Sequence, residues 1–373
     1  MLIGVPKEIK ANENRVGLTP ISVREFINAG HQVIVEKNAG QGIGKTDSDY
    51  QQAGATVVDT AAEIFAKAEM VIKVKEPQAV EYEQLRPDQI LFTYLHLSPD
   101  VAQTQGLIKS GCIAVAYETV TSNQGSLPLL APMSEVAGRM AVQVGAYALQ
   151  KAEGGAGVLL GGVPGVESAK VVVLGGGVAG FNATKMAVGM GAEVIVIDRN
   201  VERLRYIDDI YQGRVKTLYS TADSVYKATT AADLVIGTVL IPGANAPKLV
   251  THEIMQQMKP GAVIVDVAID QGGCTDASKP TTHENPTYLV DDIVLYCVAN
   301  MPGGVPKTST YALNNATLPF ALAIANKGVK QALLDDKHLR NGLNVCQGKL
   351  TYRAVAEAQG LDYVSAETAL AAL

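Results

Sequence analysis

From residue 168 onward, short apolar and β-branched runs alternate with longer stretches of helical periodicity. The runs predict strands over Ala169–Leu174, Glu193–Ile197, Val215–Tyr219, Asp233–Thr238, Ala262–Ala268 and Ile293–Val298. Between them Gly177–Met190 and Thr251–Met258 read as helices, the second stopped by Lys259-Pro260-Gly261. Such alternation gives parallel βαβ units with right-handed crossovers, and six strands of this kind complete a doubly wound, Rossmann-type sheet. A second α/β pattern occupies the first 125 residues. Its strands are Leu2–Val5, Gln32–Val35, Met70–Val74, Ile90–Leu95 and Ile113–Ala116, with helices at Pro20–Ala29 and Thr60–Ala68. Two long helices, Met133–Lys151 and about Leu313–Leu334, bracket the Rossmann-type stretch. The expected fold is therefore α/β with two domains. A Rossmann-type parallel sheet (residues 129–306) is inserted into a second α/β domain made of 1–128 and 307–373. A small substrate is expected in a cleft between them. The glycine-rich stretch 154–165 reads as a turn-rich connection, open to a hairpin, because Val158–Leu160 is apolar.

Composition narrows the function. Nonpolar residues make up 47% of the 373 and charged ones 18%, which excludes a disordered or fibrous chain. With 31 Lys and Arg against 37 Asp and Glu the net charge is −6, so nothing draws the chain globally to nucleic acid or an anionic membrane. An anionic ligand must be met by local cations. Aromatics are 5% and tryptophan is absent, which argues against a nucleic-acid reader. The longest apolar runs, Val171–Ala179 and Ala262–Ile269, are half a membrane span. The start lacks the basic segment and apolar core of a secretory signal. Cys112, Cys274, Cys297 and Cys346 show neither CxxC nor a metal spacing. The expectation is a cytoplasmic protein with reduced thiols, no metal and no membrane or nucleic-acid partner.

Gly175, Gly177 and Gly180 form G-x-G-x-x-G, directly after a strand and opening a helix, the context the motif requires. Gly175 permits the turn, Gly177 lets backbone amides approach a pyrophosphate, and Gly180 lets helix and strand pack closely. Asp198 ends the next strand, where a carboxylate accepts from ribose hydroxyls and repels a 2′-phosphate. This selects NAD as the cofactor over NADP, although the adjacent Arg199 is compatible with a phosphate.

Ligands of such sheets bind outside the carboxyl ends of the strands. Asp270 follows the strand Ala262–Ile269 and is either a carboxylate aimed at the reacting region or a turn and capping aspartate. His96 follows Ile90–Leu95 and is either a proton-transfer group or a hydrogen-bonded structural residue. His31, His252, His283 and His338 fall in turns or polar stretches. Arg15, beyond the first strand, and Lys75, at the end of Met70–Lys75, are candidate cations for a small carboxylate substrate. Lys73 shares the strand face of Lys75, so spacing does not choose between them.

Together these residues resemble the bacterial L-alanine dehydrogenases of the alanine dehydrogenase/transhydrogenase alpha-subunit family. The likeness rests on the start Gly4-Val5-Pro6-Lys7-Glu8, on Val74-Lys75-Glu76-Pro77 and on Tyr94-Leu95-His96-Leu97. Leu130–Gly138, Val173–Gly180, Asp266–Gly273 and Val298–Gly303 extend it over essentially the whole chain. The resemblance implies reversible NAD-dependent oxidative deamination of L-alanine to pyruvate and ammonium, in a homohexamer. It implies that Arg15 and Lys75 bind substrate and that His96 and Asp270 are the acid–base pair. Cofactor contacts are implied for Ser134, Val178, Ala179, Asp198, Arg203, Ser220, Val239 and Leu240. They are implied also for Val267, Ala268, Ile269 and Asp270, and for Val298, Ala299, Asn300 and Met301. Where the family usually carries arginine in Ser-Arg-Pro-Thr-Thr, this chain has Lys279, which keeps the charge but loses the fork. Three other readings share parts of the pattern. They are the NAD-binding subunit of a proton-translocating transhydrogenase, a saccharopine- or lysine-forming reductase, and a non-catalytic NAD sensor.

Overall fold

A computed structural model describes residues 1–239 and 246–373. In chain order the strands among them are β1 (Leu2–Val5), β2 (Gln32–Glu36), β3 (Thr56–Val58), β4 (Met70–Ile72), β5 (Ile90–Thr93), β6 (Ile113–Ala116), β7 (Lys170–Leu174), β8 (Glu193–Asp198), β9 (Val215–Tyr219), β10 (Leu234–Gly237), β11 (Val263–Asp266), β12 (Thr287–Val290), β13 (Ile293–Tyr296), β14 (Leu343–Cys346) and β15 (Lys349–Leu350). The chain divides into two compact units, Met1–Met133 with Val305–Leu373, and Ser134–Gly304.

The first unit holds a sheet ordered β15-β14-β6-β5-β4-β1-β2-β3. Its strands β1 to β6 are parallel, and the C-terminal segment adds β14 and β15 antiparallel at the β6 edge. The second unit holds a sheet ordered β12-β13-β11-β10-β7-β8-β9, parallel except for the edge strand β12. Both sheets contain the doubly wound order in which the chain starts in the middle, runs outward, then crosses back. In the first the switch falls between β1 and β4, in the second between β7 and β10. The middle strands are buried on both faces and read as continuous apolar runs: Val171–Leu174, Leu234–Ile236 and Val263–Val265 are all inaccessible.

Several predicted boundaries move, each for a local reason. The strand expected over Ala262–Ala268 ends at Asp266, whose carboxylate takes the Ala268 amide and starts a 3-10 turn over Val267–Gln271. The strand expected to Leu95 ends at Thr93, and His96 turns into the left-handed region at φ 49°. The helix expected over Leu313–Leu334 runs from Pro306 to Lys327, stops at Gly328 (φ 76°) and resumes as Val329–Asp335. Thr251–Met258 keeps one helical turn, His252–Met255. The helix expected over Met133–Lys151 spans Ala131–Ala148, admitting Pro132 in its first turn, where no intrahelical N–H bond is needed. Within the glycine-rich stretch Val163 and Val166 form an isolated antiparallel bridge.

The first unit is pinned at its switch point by a buried ion triad. The Lys73 ammonium, wholly inaccessible, donates to Glu8 Oε2 at 3.0 Å and to Glu81 Oε1 at 2.7 Å. This separates Lys73 from Lys75: the first is structural, tying the loop after β1 to β4 and to the helix Ala79–Tyr82. Lys73→Met would strand two buried carboxylates without their cation, at a cost of about 3–5 kcal/mol. We expect urea unfolding to shift by that amount. Adding Glu8→Gln and Glu81→Gln should recover a large part, and a loss below about 1 kcal/mol in the single variant would contradict this account.

Candidate active site

In the second unit the chain leaves β7 through Gly175, at φ 96°, a conformation other residues adopt only with strain. The helix Val178–Gly189 follows with Gly177 at its N-cap and no side-chain cap, so its first amide groups point outward unclaimed by a capping side chain. A Cβ on Gly180 would lie 1.8 Å from the Gly175 carbonyl and 2.7 Å from Thr238 Oγ1, whereas one on Gly177 would meet nothing within 4 Å. The loop is thus closed where helix meets strand and open where an anion would approach the helix N-terminus.

Asp198, half-buried at the end of β8, accepts from the Gly176 amide at 2.6 Å and the Asn200 amide at 2.7 Å. Each carboxylate oxygen retains a second lone pair for a hydroxyl donor. Arg203 donates through Nε to the Gly176 carbonyl, and its guanidinium lies 4.8 and 4.7 Å from the ring centres of Phe181 and Tyr206. The Ser220 amide donates to the Asp198 carbonyl. Predicted contact residues from five segments therefore sort as follows. Val178 and Ala179 open the helix, and Asp198, Arg203 and Ser220 flank the loop. Val239 follows Thr238 at the end of β10, and Leu240 lies outside the described residues. Ser134 sits one turn before Gly138, where a Cβ would come within 2.0 Å of the Ala179 carbonyl, so this helix packs tightly on the start of the other.

The loop after β11 carries Val267, Ala268, Ile269 and Asp270 in its 3-10 turn. The capping role open to Asp270 belongs instead to Asp266, wholly buried, which accepts from the Ala268 amide (3.1 Å), the Cys274 amide (2.8 Å) and the Ser278 hydroxyl. Burial pushes Asp266 up, and the Ser278 and Cys274 donors oppose it without cancelling it. Asp270 itself is exposed. After β13, Val298 bridges to Thr281, Asn300 adopts φ 61° with its carbonyl 3.3 Å from His283 Nε2, and Met301 is buried. Lys279 is exposed, its amide anchored on the Tyr288 hydroxyl at 2.7 Å.

In the first unit Arg15 and Lys75 follow β1 and β4, the strands that flank the switch point, and His96 follows β5, the next strand beside β4. The Arg15 loop is stitched to the long helix Pro306–Lys327 by Asn314, which accepts the Thr19 amide at 2.8 Å and donates to the Gly17 carbonyl at 3.0 Å. Arg15 is 3% exposed, and its Nε and Nη2 donate to Glu13 at 2.7 and 2.6 Å, so the fork expected for a ligand is met by the chain's own carboxylate. Nη1 faces the Met133 sulfur at 3.1 Å. Lys75 lies 3.6 Å from Glu76, whose other oxygen pairs with Lys10. Burial would raise Glu76, but Lys75, Lys10 and His96 together hold it below the usual carboxylate range. The His96 ring stacks on Tyr94 (5.7 Å, 12° between planes), and Tyr94 lies within electrostatic reach of Arg15. These contacts draw the three predicted residues into one neighbourhood.

Four groups escaped the sequence reading: Glu8, Glu13, Glu118 and Asp266. Glu8 stood in the opening stretch that carries the resemblance, and Asp266 is a carboxylate inside an otherwise nonpolar run, which demands buried donors.

An uncapped, glycine-led helix at the switch point of a doubly wound sheet, with a carboxylate ending the next strand, defines a nucleotide-binding α/β protein. The chain belongs to the alanine dehydrogenase/PNT family. Residues 4–137 match the model of the family's N-terminal domain and 141–353 that of its C-terminal domain. It is 59% identical to the alanine dehydrogenase of Halomonas elongata over 98% of this chain and 99% of that one. It is 57% identical to the alanine dehydrogenase of Methanococcus maripaludis over 99% and 100%. A solved L-alanine dehydrogenase superposes with TM-score 0.93 at 53% identity, covering 96% of this chain and 99% of that one. A transhydrogenase from Sinorhizobium meliloti superposes at 0.81 with 25% identity, covering 95% and 100%.

Gly180→Ala would drive a methyl into the Gly175 carbonyl. We expect a loss of about 1–3 kcal/mol, read as a lower thermal midpoint. An unchanged midpoint would mean that the helix and strand can separate without penalty.

Proposed function

We propose that the chain is an NAD-dependent L-alanine dehydrogenase: L-alanine + NAD⁺ + H₂O ⇌ pyruvate + NH₄⁺ + NADH + H⁺. The reading is carried by the placement of Arg15, Lys75 and His96 at the carboxyl ends of three adjacent strands, in a chain more than half identical to alanine dehydrogenases over its full length. The much lower identity to the transhydrogenase favours it over that alternative. Residues 1–128 with 307–373 bind the substrate and 129–306 the cofactor.

The glycine loop, the open helix N-terminus and Asp198 fit a dinucleotide, with Gly177 beside the pyrophosphate and Asp198 on a ribose. Bound NAD⁺ supplies the hydride acceptor. Asp198 disfavours a 2′-phosphate, since two anions would share one half-buried pocket. Ser134, Val239, Leu240, the loops 267–270 and 298–301, and Lys279 complete the cofactor's surroundings. Arg15 meets the substrate carboxylate, its guanidinium oriented by Glu13. Lys75 addresses the oxygen or imine nitrogen at the reacting carbon. Deamination then needs a proton removed from the amine, water added to the imine carbon, and ammonia expelled. His96 moves the proton at the substrate oxygen, and Asp270 serves the amine nitrogen. The working form is a cytoplasmic homohexamer.

The first test is oxidation of NADH by pyruvate with and without ammonium. Turnover that requires ammonium and falls at least about tenfold with NADPH is expected. Turnover without ammonium would indicate a keto-acid reductase, and hydride exchange between nucleotides with no pyruvate turnover would indicate a transhydrogenase subunit. His96→Ala and Asp270→Ala should each lower kcat by about 10²–10⁴-fold while NADH binding, followed by fluorescence, stays near wild type. Retained turnover would reassign the acid–base pair. Asp198→Ala should narrow the NADH preference over NADPH, and an unaltered ratio would remove Asp198 from cofactor selection.

A further inference from the structure

His96 stands where the chain leaves β5, and its backbone is held more firmly than its ring. The Leu95 amide donates to both oxygens of Glu118, at 3.1 and 3.2 Å, and the His96 amide donates to Glu118 Oε1 at 2.6 Å. Two successive amides aimed at one anion form a small concave nest, a geometry that includes a left-handed residue, here His96 at φ 49°. Glu118 lies in the 3-10 turn Tyr117–Thr119, directly after β6, the strand paired in parallel with β5. Neighbouring carbonyls are also claimed: Gln103 donates to Leu95 at 2.9 Å and Gln359 to Leu97 at 2.7 Å. The imidazole, by contrast, is exposed and lies flat against Tyr94. One strand away, without a left-handed residue, Glu8 Oε1 likewise accepts two successive amides, those of Val74 (2.6 Å) and Lys75 (3.4 Å).

We propose that Glu118 is a positioning residue for the reaction: its carboxylate holds the left-handed turn that aims the His96 imidazole at the substrate. It touches neither substrate nor cofactor and acts through the peptide groups of Leu95 and His96. The inference rests on the reading of His96 as an acid–base group. A left-handed histidine persists only where its surroundings over-determine it, and Glu118 supplies the charged acceptor that does so. Without it the two amides would seek other partners by turning the backbone, and the ring would swing with them.

The test compares wild type, Glu118→Gln and Glu118→Ala by amide hydrogen exchange and by ammonium-dependent kinetics. In Glu118→Ala we expect at least about tenfold faster exchange confined to the Leu95–His96 segment. kcat should fall about 10- to 100-fold, with the KM values for pyruvate and NADH within about threefold, because the lost term is orientation rather than binding. Glu118→Gln keeps a carbonyl acceptor and should lose only about threefold in kcat, and it decides the matter if the alanine variant fails to fold. Faster local exchange with kcat within about twofold of wild type would overturn the inference. So would a fall in kcat matched by equal rises in both KM values, or a glutamine variant as impaired as the alanine one. Wild-type protein lacking ammonium-dependent turnover would overturn the dehydrogenase reading itself, and the exchange data would still show whether Glu118 holds the turn.

Discussion

A parallel strand stops satisfying its own peptide groups at its carboxyl end, which is also where a doubly wound sheet receives its ligands. Amides just past the last ladder bond have no strand partner, and in this chain carboxylates accept from several of them. Glu8 serves Val74 and Lys75, Glu118 serves Leu95 and His96, Asp198 serves Gly176, and Asp266 serves Ala268 and Cys274. A hydrogen bond to an ionised acceptor contributes roughly 1.5–3 kcal/mol, which opposes the desolvation of the carboxylate; at Glu8 and Asp266 burial still holds the group above the usual carboxylate range. Each of these groups has at least two donors. Loops fixed in this way can carry reacting side chains without those side chains having to stabilise the loop.

The two sheets share a strand order, so what separates their chemistry is the loop after the first strand of each. After β7 that loop is three glycines and an uncapped helix, a surface of backbone amides suited to a phosphate. After β1 it is Pro6 to Gly17, rich in charged side chains and clamped by Glu8–Lys73, Glu13–Arg15 and the Asn314 bonds. A backbone surface reads any phosphate alike, whereas a set of fixed charged side chains reads a small carboxylate by position.

The apolar runs made the central strands legible, because a strand buried on both faces needs β-branched residues throughout. The glycine loop was legible because its spacing is dictated by backbone contacts within ten residues. Strand ends were less so. Asp266 leaves the ladder by accepting from the Ala268 amide, and His96 by donating its amide to Glu118, a partner 22 residues away. The edge strands β3, β12 and β15 are short or partly exposed and carry little periodic signal. At the substrate end the residue types were readable but the pairings were not. Whether Lys73 or Lys75 is the structural cation depends on Glu8 and Glu81, and whether the Arg15 fork is open depends on Glu13. Such pairings are set by how strands lie beside one another, which no local spacing encodes.

The positive-φ residues sharpen the division between scaffold and chemistry. Gly175 takes φ 96° where the chain turns out of β7, and a Cβ there would also come within 3.1 Å of Thr238 Oγ1, so the side chain has to be absent. His96 and Asn300 take φ 49° and 61° just beyond β5 and β13 although glycine would adopt the same turns more cheaply. The left-handed conformation costs a non-glycine residue roughly 1–2 kcal/mol, less for asparagine, whose short amide bonds locally. Retaining side chains there is intelligible if the side chain is what the turn exists to present. At His96 the surroundings are arranged accordingly: Glu118, Gln103 and Gln359 bind the backbone of residues 95–97, while the imidazole is left exposed against Tyr94. At Asn300 the neighbouring contact again goes to the backbone, from His283 to its carbonyl. The strain at both positions is therefore carried by main-chain hydrogen bonds from other segments.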